Sequence, residues 1–174
     1  MRRGAGSRSD RSRDRDRVSR RRALLLALRT GPVAAQGLKP RADLGRASLI
    51  AEPAALAGAT PFTVAIRMTM KPGWHVYWRN PGDSGLPPEM AWDLPQGVSV
   101  GAVEWPVPER IPVQTLMNYG YEGEAVLLVP LSVPKDLPTD RPLHLSGKLS
   151  YLVCEEICVP GSNDLALDVP VAGG

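Results

Sequence analysis

The chain has 174 residues and a formal charge of +3, enough for one domain with a real core and too few for two. The charge is uneven: eleven of the 21 Lys and Arg, but only three of the 18 Asp and Glu, fall in residues 1–35, so residues 36–174 carry ten cations against fifteen anions, a net of −5. Basic residues confined to a tail without aromatics, ahead of an acidic body, argue against nucleic-acid binding despite the basic pI.

Residues 1–35 read as an export signal. Arg20, Arg21 and Arg22 precede the apolar run 23–28, and Val33, Ala34 and Ala35 offer small residues for cleavage. The stretch SRRRAL at 19–24 loosely resembles a twin-arginine signal. Residues 36–46 lack periodicity and read as a linker, which leaves 47–174 as the domain. Within it, 48–52 is a short strand and 53–60 a turn-rich connection. Phe62, Val64, Ile66, Met68 and Met70 then alternate with Thr63, Ala65, Arg67 and Thr69, the clearest strand of the sequence. KPG at 71–73 is a turn signal, 74–79 a strand, and NPGDSGLPP at 80–88 a rigid loop.

Short strands follow at 90–94 and 98–105. Residues 106–123 are proline-rich and then aromatic, and read as a long connection of the kind that is usually functional or mobile. Residues 125–133 are a buried strand and 134–142 a loop. Leu143, Leu145, Leu149, Tyr151 and Val153 alternate with His144, Ser146, Lys148 and Ser150, and Leu165, Leu167, Val169 and Val171 mark a last strand. No stretch has a helical period with caps, and 18 Pro and 17 Gly would interrupt any long helix. The fold class expected is all-β, an antiparallel β-sandwich in a single domain.

The chemistry rests on YLVCEEICVPGS at 151–162, which holds both cysteines, Cys154 and Cys158. Such a pair can be a disulfide, a redox dithiol, half of a metal site or two buried thiols. In an extended strand residues four apart are separated by about 13 Å, whereas a disulfide needs Cα atoms about 4.4–6.8 Å apart, so Glu155, Glu156 and Ile157 would have to turn. The strand period puts Cys154 off the core-facing set. An exposed position is therefore expected for it, which favours redox chemistry over a structural thiol. Glu155 and Glu156 disfavour a neighbouring anion, so these neighbours do not acidify the thiols.

Four segments together, GWHVYWRNPGDSGLPPEMAWDLP (73–95), WPVPER (105–110), NYGYEGE (118–124) and YLVCEEICVPGS (151–162), resemble the N-terminal periplasmic domain of the DsbD-type thiol:disulfide interchange proteins. The likeness is closer to the ScsB-like branch, associated with copper tolerance, and covers about 46–172. It implies an immunoglobulin-like sandwich that works in the periplasm as a protein-disulfide reductase without a cofactor. Cys154 and Cys158 match the family's catalytic pair, the second cysteine forming the intermolecular bond. The donor implied is a DsbD-type transmembrane domain. The acceptors implied are thioredoxin-like or disulfide isomerase proteins, including those of cytochrome c maturation. The family's cap loop falls on Met117, Asn118, Tyr119, Gly120 and Tyr121. Asn118 occupies the place of the cap aromatic, leaving Tyr119 as the candidate cover. The spacer between the cysteines is shorter than in the enterobacterial members. Full-length members continue into membrane and thioredoxin-like domains, so a membrane tether is expected if the natural chain continues past Gly174.

The rival class is a soft-metal module. Cys154 and Cys158 with Met68, Met70, Met90, Met117 and His75 or His144 would suit Cu(I) if they converged. Met68 and Met70 share the apolar parity of one strand, and His144 lies on a polar face, so core packing and an ordinary surface histidine explain them more simply. No metal ligand set is assigned.

Overall fold

The computed structural model describes residues 44–57 and 60–172. The export signal assigned to 1–35 and the linker up to residue 43 lie outside the described residues. Twelve strands follow one another without a helix among the described residues: β1 Gly45–Ala51, β2 Leu56–Ala57, β3 Phe62–Met70, β4 His75–Gly82, β5 Glu89–Asp93, β6 Ser99–Val100, β7 Glu109–Val113, β8 Leu116–Glu122, β9 Glu124–Ser132, β10 Leu143–Cys154, β11 Cys158–Val169 and β12 Val171–Ala172. The first strand thus begins inside the stretch read as linker.

One sheet has the order β1-β3-β9-β6, and the other the order β11-β10-β4-β8-β7, with β5 also pairing on β10. The pairings within both sheets are antiparallel, and a short parallel pair, β2 with β12, lies apart. Val64, Ile66, Met68, Leu127, Val129 and Leu131 of the first sheet meet Val76, Leu145, Leu149, Tyr151 and Val153 of the second in one apolar core. The period-two alternation of β3 and β9 follows from having one face on this core. The result is the antiparallel, immunoglobulin-like β-sandwich expected from the strand pattern and the resemblance.

Residues 106–123 depart from the expected long connection. Most of that stretch is a β-hairpin, β7 to β8, turning at Gln114, whose φ is 54°. Pro112 concealed β7 in the sequence. It is tolerated because β7 is an edge strand, where a missing N–H breaks no ladder. The same reasoning holds for Pro160 in β11, at the other edge. The β10–β11 hairpin runs in unbroken register from Leu143 opposite Val169 to Cys154 opposite Cys158. It carries the cysteines to one end of the second sheet.

Candidate redox site

Cys154 is the last residue of β10 and Cys158 the first of β11. Glu155, Glu156 and Ile157 form the turn between them, with the Glu155 N–H donating to the Ile157 carbonyl at 3.2 Å. This turn brings the two Cα atoms to 4.1 Å, and the sulfurs are joined in a disulfide. The two halves of the pair are unequal. Cys154 is only 2% exposed, whereas Cys158 lies on the surface beside Ile157, itself 71% exposed.

The burial of Cys154 corrects the sequence expectation of an exposed thiol. Its parity is as expected, away from Val153 and the core, but that outer face of the sheet is covered. Across the sheet, Cys154 stands opposite His75 of β4. Alternation along β4 then sends His75 and Tyr77 to the outer face and Val76 to the core. His75 and Tyr77 are almost wholly buried and meet edge-to-face, with ring centroids 5.2 Å apart. The Tyr77 hydroxyl lies 3.4 Å from Cys158 Sγ. A disulfide sulfur carries no hydrogen, so the phenol is the donor. Burial raises the Tyr77 pKa, partly offset by a hydrogen bond with Ser84, and so keeps the proton on the oxygen.

A turn after β4 closes over this layer. Gly85 rests against the Tyr77 ring so closely that a Cβ there would overlap it, and its φ of 94° is one that side chains disfavour. The turn is fastened to β8 at two points. Asp83 N–H donates to the Met117 carbonyl at 3.1 Å, and Met117 N–H donates to Asp83 Oδ2 at 2.8 Å. Asn118, 1% exposed, accepts from Ser84 N–H at 3.1 Å and from Ser84 Oγ at 3.0 Å. Beside the hairpin, on the same outer face, lies a groove of about 410 Å³ bordered by Leu86, Pro87, Leu152 and Pro160.

Of the residues singled out from the sequence, Cys154 and Cys158 come together. Met117, Asn118, Tyr119, Gly120 and Tyr121 lie in β8, separated from β10 by β4, and form a strand rather than a loop. Gly120 packs directly on the Val76 backbone opposite Tyr77, and Tyr121 joins the core. Tyr119 meets Trp78 edge-to-face with ring centroids 6.5 Å apart, on the face of β8 opposite that of Gly120, which pairs with Tyr77. Sequence reasoning missed Tyr77 and Gly85, and read Asp83 and Ser84 as loop residues that could touch a partner rather than as the fastening of the turn. The signal was present in the alternation of His75 and Tyr77, but only the pairing of β4 with β10 reveals what that face covers.

Of the soft-ligand candidates, His75 stands opposite Cys154 and so beside both cysteines, and the others lie elsewhere. Met68 and Met70 are in the core, and His144 pairs with Asp168 at 2.6 Å near the far end of β10. Among the described residues no three His, Cys, Asp or Glu side chains are grouped to hold a metal.

A family described as "Thiol:disulfide interchange protein DsbD, N-terminal" matches residues 46–170. The chain belongs to this family. It is thus a domain of the thiol:disulfide interchange family, with a close cysteine pair joined in a disulfide. Among solved structures, the N-terminal periplasmic domain of ScsB from Proteus mirabilis is 26% identical with a TM-score of 0.58, over 76% of this chain and 49% of that one. The chain therefore spans about half the length of that relative. The N-terminal domain of Neisseria meningitidis DsbD in the reduced form is 18% identical with a TM-score of 0.44, over 78% of this chain and 91% of that one. No curated protein sequence matches the chain.

Proposed function

We propose that this domain passes reducing equivalents from a membrane-embedded donor of the DsbD type to oxidised thioredoxin-like or disulfide isomerase partners in the periplasm. Residues 1–35 serve as the export signal, and the linker that follows ends ahead of β1 at Gly45. Cys158 is the attacking thiol and Cys154 the resolving one. The observation that carries the assignment is the difference in exposure: Cys158 is an exposed residue, while Cys154 is 2% exposed and out of a partner's reach.

In the forward direction the Cys158 thiolate attacks a partner disulfide, forming a mixed disulfide and releasing one partner thiolate. Cys154 then attacks Cys158 Sγ, the intermolecular bond breaks, and the second partner thiolate leaves. Two electrons and two protons pass to the partner, and the domain ends as the disulfide. The Tyr77 hydroxyl favours the Cys158 thiolate by donating to it, a hydrogen bond to the charged form. Exposed Ile157 and the groove along Leu152 and Pro160 offer an apolar rim for the docked partner. The cover is the turn at Asp83, Ser84 and Gly85, held over Tyr77 by Met117 and Asn118. The segment Met117 to Tyr121 thus acts as the anchor of the cap.

Mixing the reduced domain with an oxidised thioredoxin-like protein tests the assignment. Thiol quantification by mass should show the partner gaining two thiols as the domain loses two. A domain that stays reduced, or that passes electrons equally well as Cys158→Ser, would refute it.

A further inference from the structure

Among the described residues, His75 is the one buried titratable group beside the disulfide that this exchange leaves without a task. It is 2% exposed, and its Nε2 has no hydrogen-bond partner among the described residues. A buried polar nitrogen left unpaired is costly and calls for an explanation, a redox or catalytic role among them. His75 stands directly opposite Cys154 in the β4–β10 pairing. Such cross-strand neighbours share a face with Cβ atoms about 4.5–5.5 Å apart, within reach of an imidazole and a thiol. In the disulfide state Cys154 has no proton to offer; on reduction its S–H becomes a donor.

We propose that His75 is the general base of the resolving step, taking the proton of the Cys154 thiol through Nε2 as Cys154 attacks the mixed disulfide. This deepens the exchange reading and rests on it. Each sulfur then has its own partner on β4: Tyr77 donates to Cys158, and His75 accepts from Cys154. The proton count closes. Cys154 S–H gives its proton to His75, and the Cys154 Sγ–Cys158 Sγ bond forms as the Cys158 Sγ–partner bond breaks. The departing partner thiolate takes a proton from the imidazolium, so His75 ends neutral and the partner thiol carries the hydrogen.

The surroundings of His75 suit a base. Desolvation lowers its pKa below the usual 6.5, with Glu122 of β8 raising it in part, so the imidazole is neutral above that range. The charged and titratable groups facing it are Glu122, opposite it on β8, Tyr77 on its own strand and Cys154 on β10. Glu155 of the cysteine turn approaches Gly73, just ahead of β4.

The test follows the reduced protein reacting with the aromatic disulfide dithiobis(nitrobenzoate), whose two equivalents of thiolate leave in separate steps. The first reports attack by Cys158 and the second resolution by Cys154. In the native protein the second phase should be flat with pH from neutrality down to the imidazole pKa. In His75→Gln it should slow by about tenfold or more at mildly acid pH and rise with the thiolate fraction. The limit is about a hundredfold, since a free thiol of pKa about 8.5 is about 1% ionised two units below it. The first phase should stay unchanged in both. His75→Phe, which keeps the ring against Tyr77, should match His75→Gln if the proton transfer matters and the native protein if only packing does. A second phase unchanged in rate and pH profile in both variants overturns the base assignment alone. A native protein that stalls after one equivalent overturns the exchange itself, and the base with it.

Discussion

Replacing Tyr77 with Phe removes one hydroxyl and keeps the ring that supports His75 and Gly85. In the oxidised protein the hydroxyl donates to a neutral sulfur at 3.4 Å; in the reduced protein the same donor faces a thiolate. Hydrogen bonds to charged groups contribute about 1.5–3 kcal/mol and neutral ones about 0.5–1.5 kcal/mol, so the loss falls on the thiolate by about 1–2 kcal/mol. At about 1.4 kcal/mol per unit, the Cys158 pKa should rise by roughly one unit. A unit lowers the thiolate fraction about tenfold at neutral pH, while the greater nucleophilicity of the more basic sulfur returns about threefold, leaving attack roughly three to four times slower. The assay is the pH dependence of iodoacetamide alkylation in a Cys154→Ser background, where Cys158 is the one thiol. A Cys158 pKa that stays put or falls in Tyr77→Phe, with the circular dichroism spectrum unchanged, would refute the role of the hydroxyl.

Three further outcomes follow from the layer over the disulfide. Gly85→Ala introduces a Cβ onto the Tyr77 ring at a φ of 94°, so urea unfolding should show a loss of at least about 1–2 kcal/mol and dithiothreitol should reduce the disulfide faster; an unchanged midpoint and rate would mean the turn does not cover the site. Asn118→Ala leaves the Ser84 N–H unpaired, costing about 1–3 kcal/mol, and should speed reduction by dithiothreitol more than Tyr119→Ala does; the reverse order would make Tyr119 the cover. The folded-state pKa of His75 is lowered, chiefly by burial, so the unfolded chain binds the proton more readily. Its contribution to stability is therefore full above the unfolded pKa of about 6.5 and is lost as pH falls below it. Urea midpoints at neutral and acid pH should show a smaller acid loss in His75→Phe than in the native protein, and an equal loss would contradict the burial of a neutral imidazole.

The strands packed on the core were legible in the sequence because one buried face imposes a period of two. The alternation of Phe62 to Met70 and of Leu143 to Val153 gave β3 and β10 nearly to their ends. At the edges β7 and the first half of β11 were not legible, since Pro112 and Pro160 sit where a strand has no neighbour to pair with and so look like loop residues. Exposure of Cys154 was misjudged for a related reason. Parity tells which face Cys154 takes, but the burial of that face comes from His75 and Tyr77, which are distant in the sequence and arrive only through strand pairing. The cap followed the same logic: Met117 and Asn118 stand out, yet their contacts are with Asp83 and Ser84, a turn whose residues look like ordinary loop formers.

The division of labour between the two sulfurs is tested most directly by trapping the intermolecular disulfide. Cys154→Ser and Cys158→Ser, each reduced and then mixed with an oxidised thioredoxin-like protein, are separated without reductant and weighed by mass spectrometry. Cys154→Ser should accumulate a covalent complex joined through Cys158, because nothing remains to resolve it, and Cys158→Ser should accumulate almost none because its remaining thiol is buried. A complex that builds up through Cys154 instead, or equally in both variants, would contradict the account.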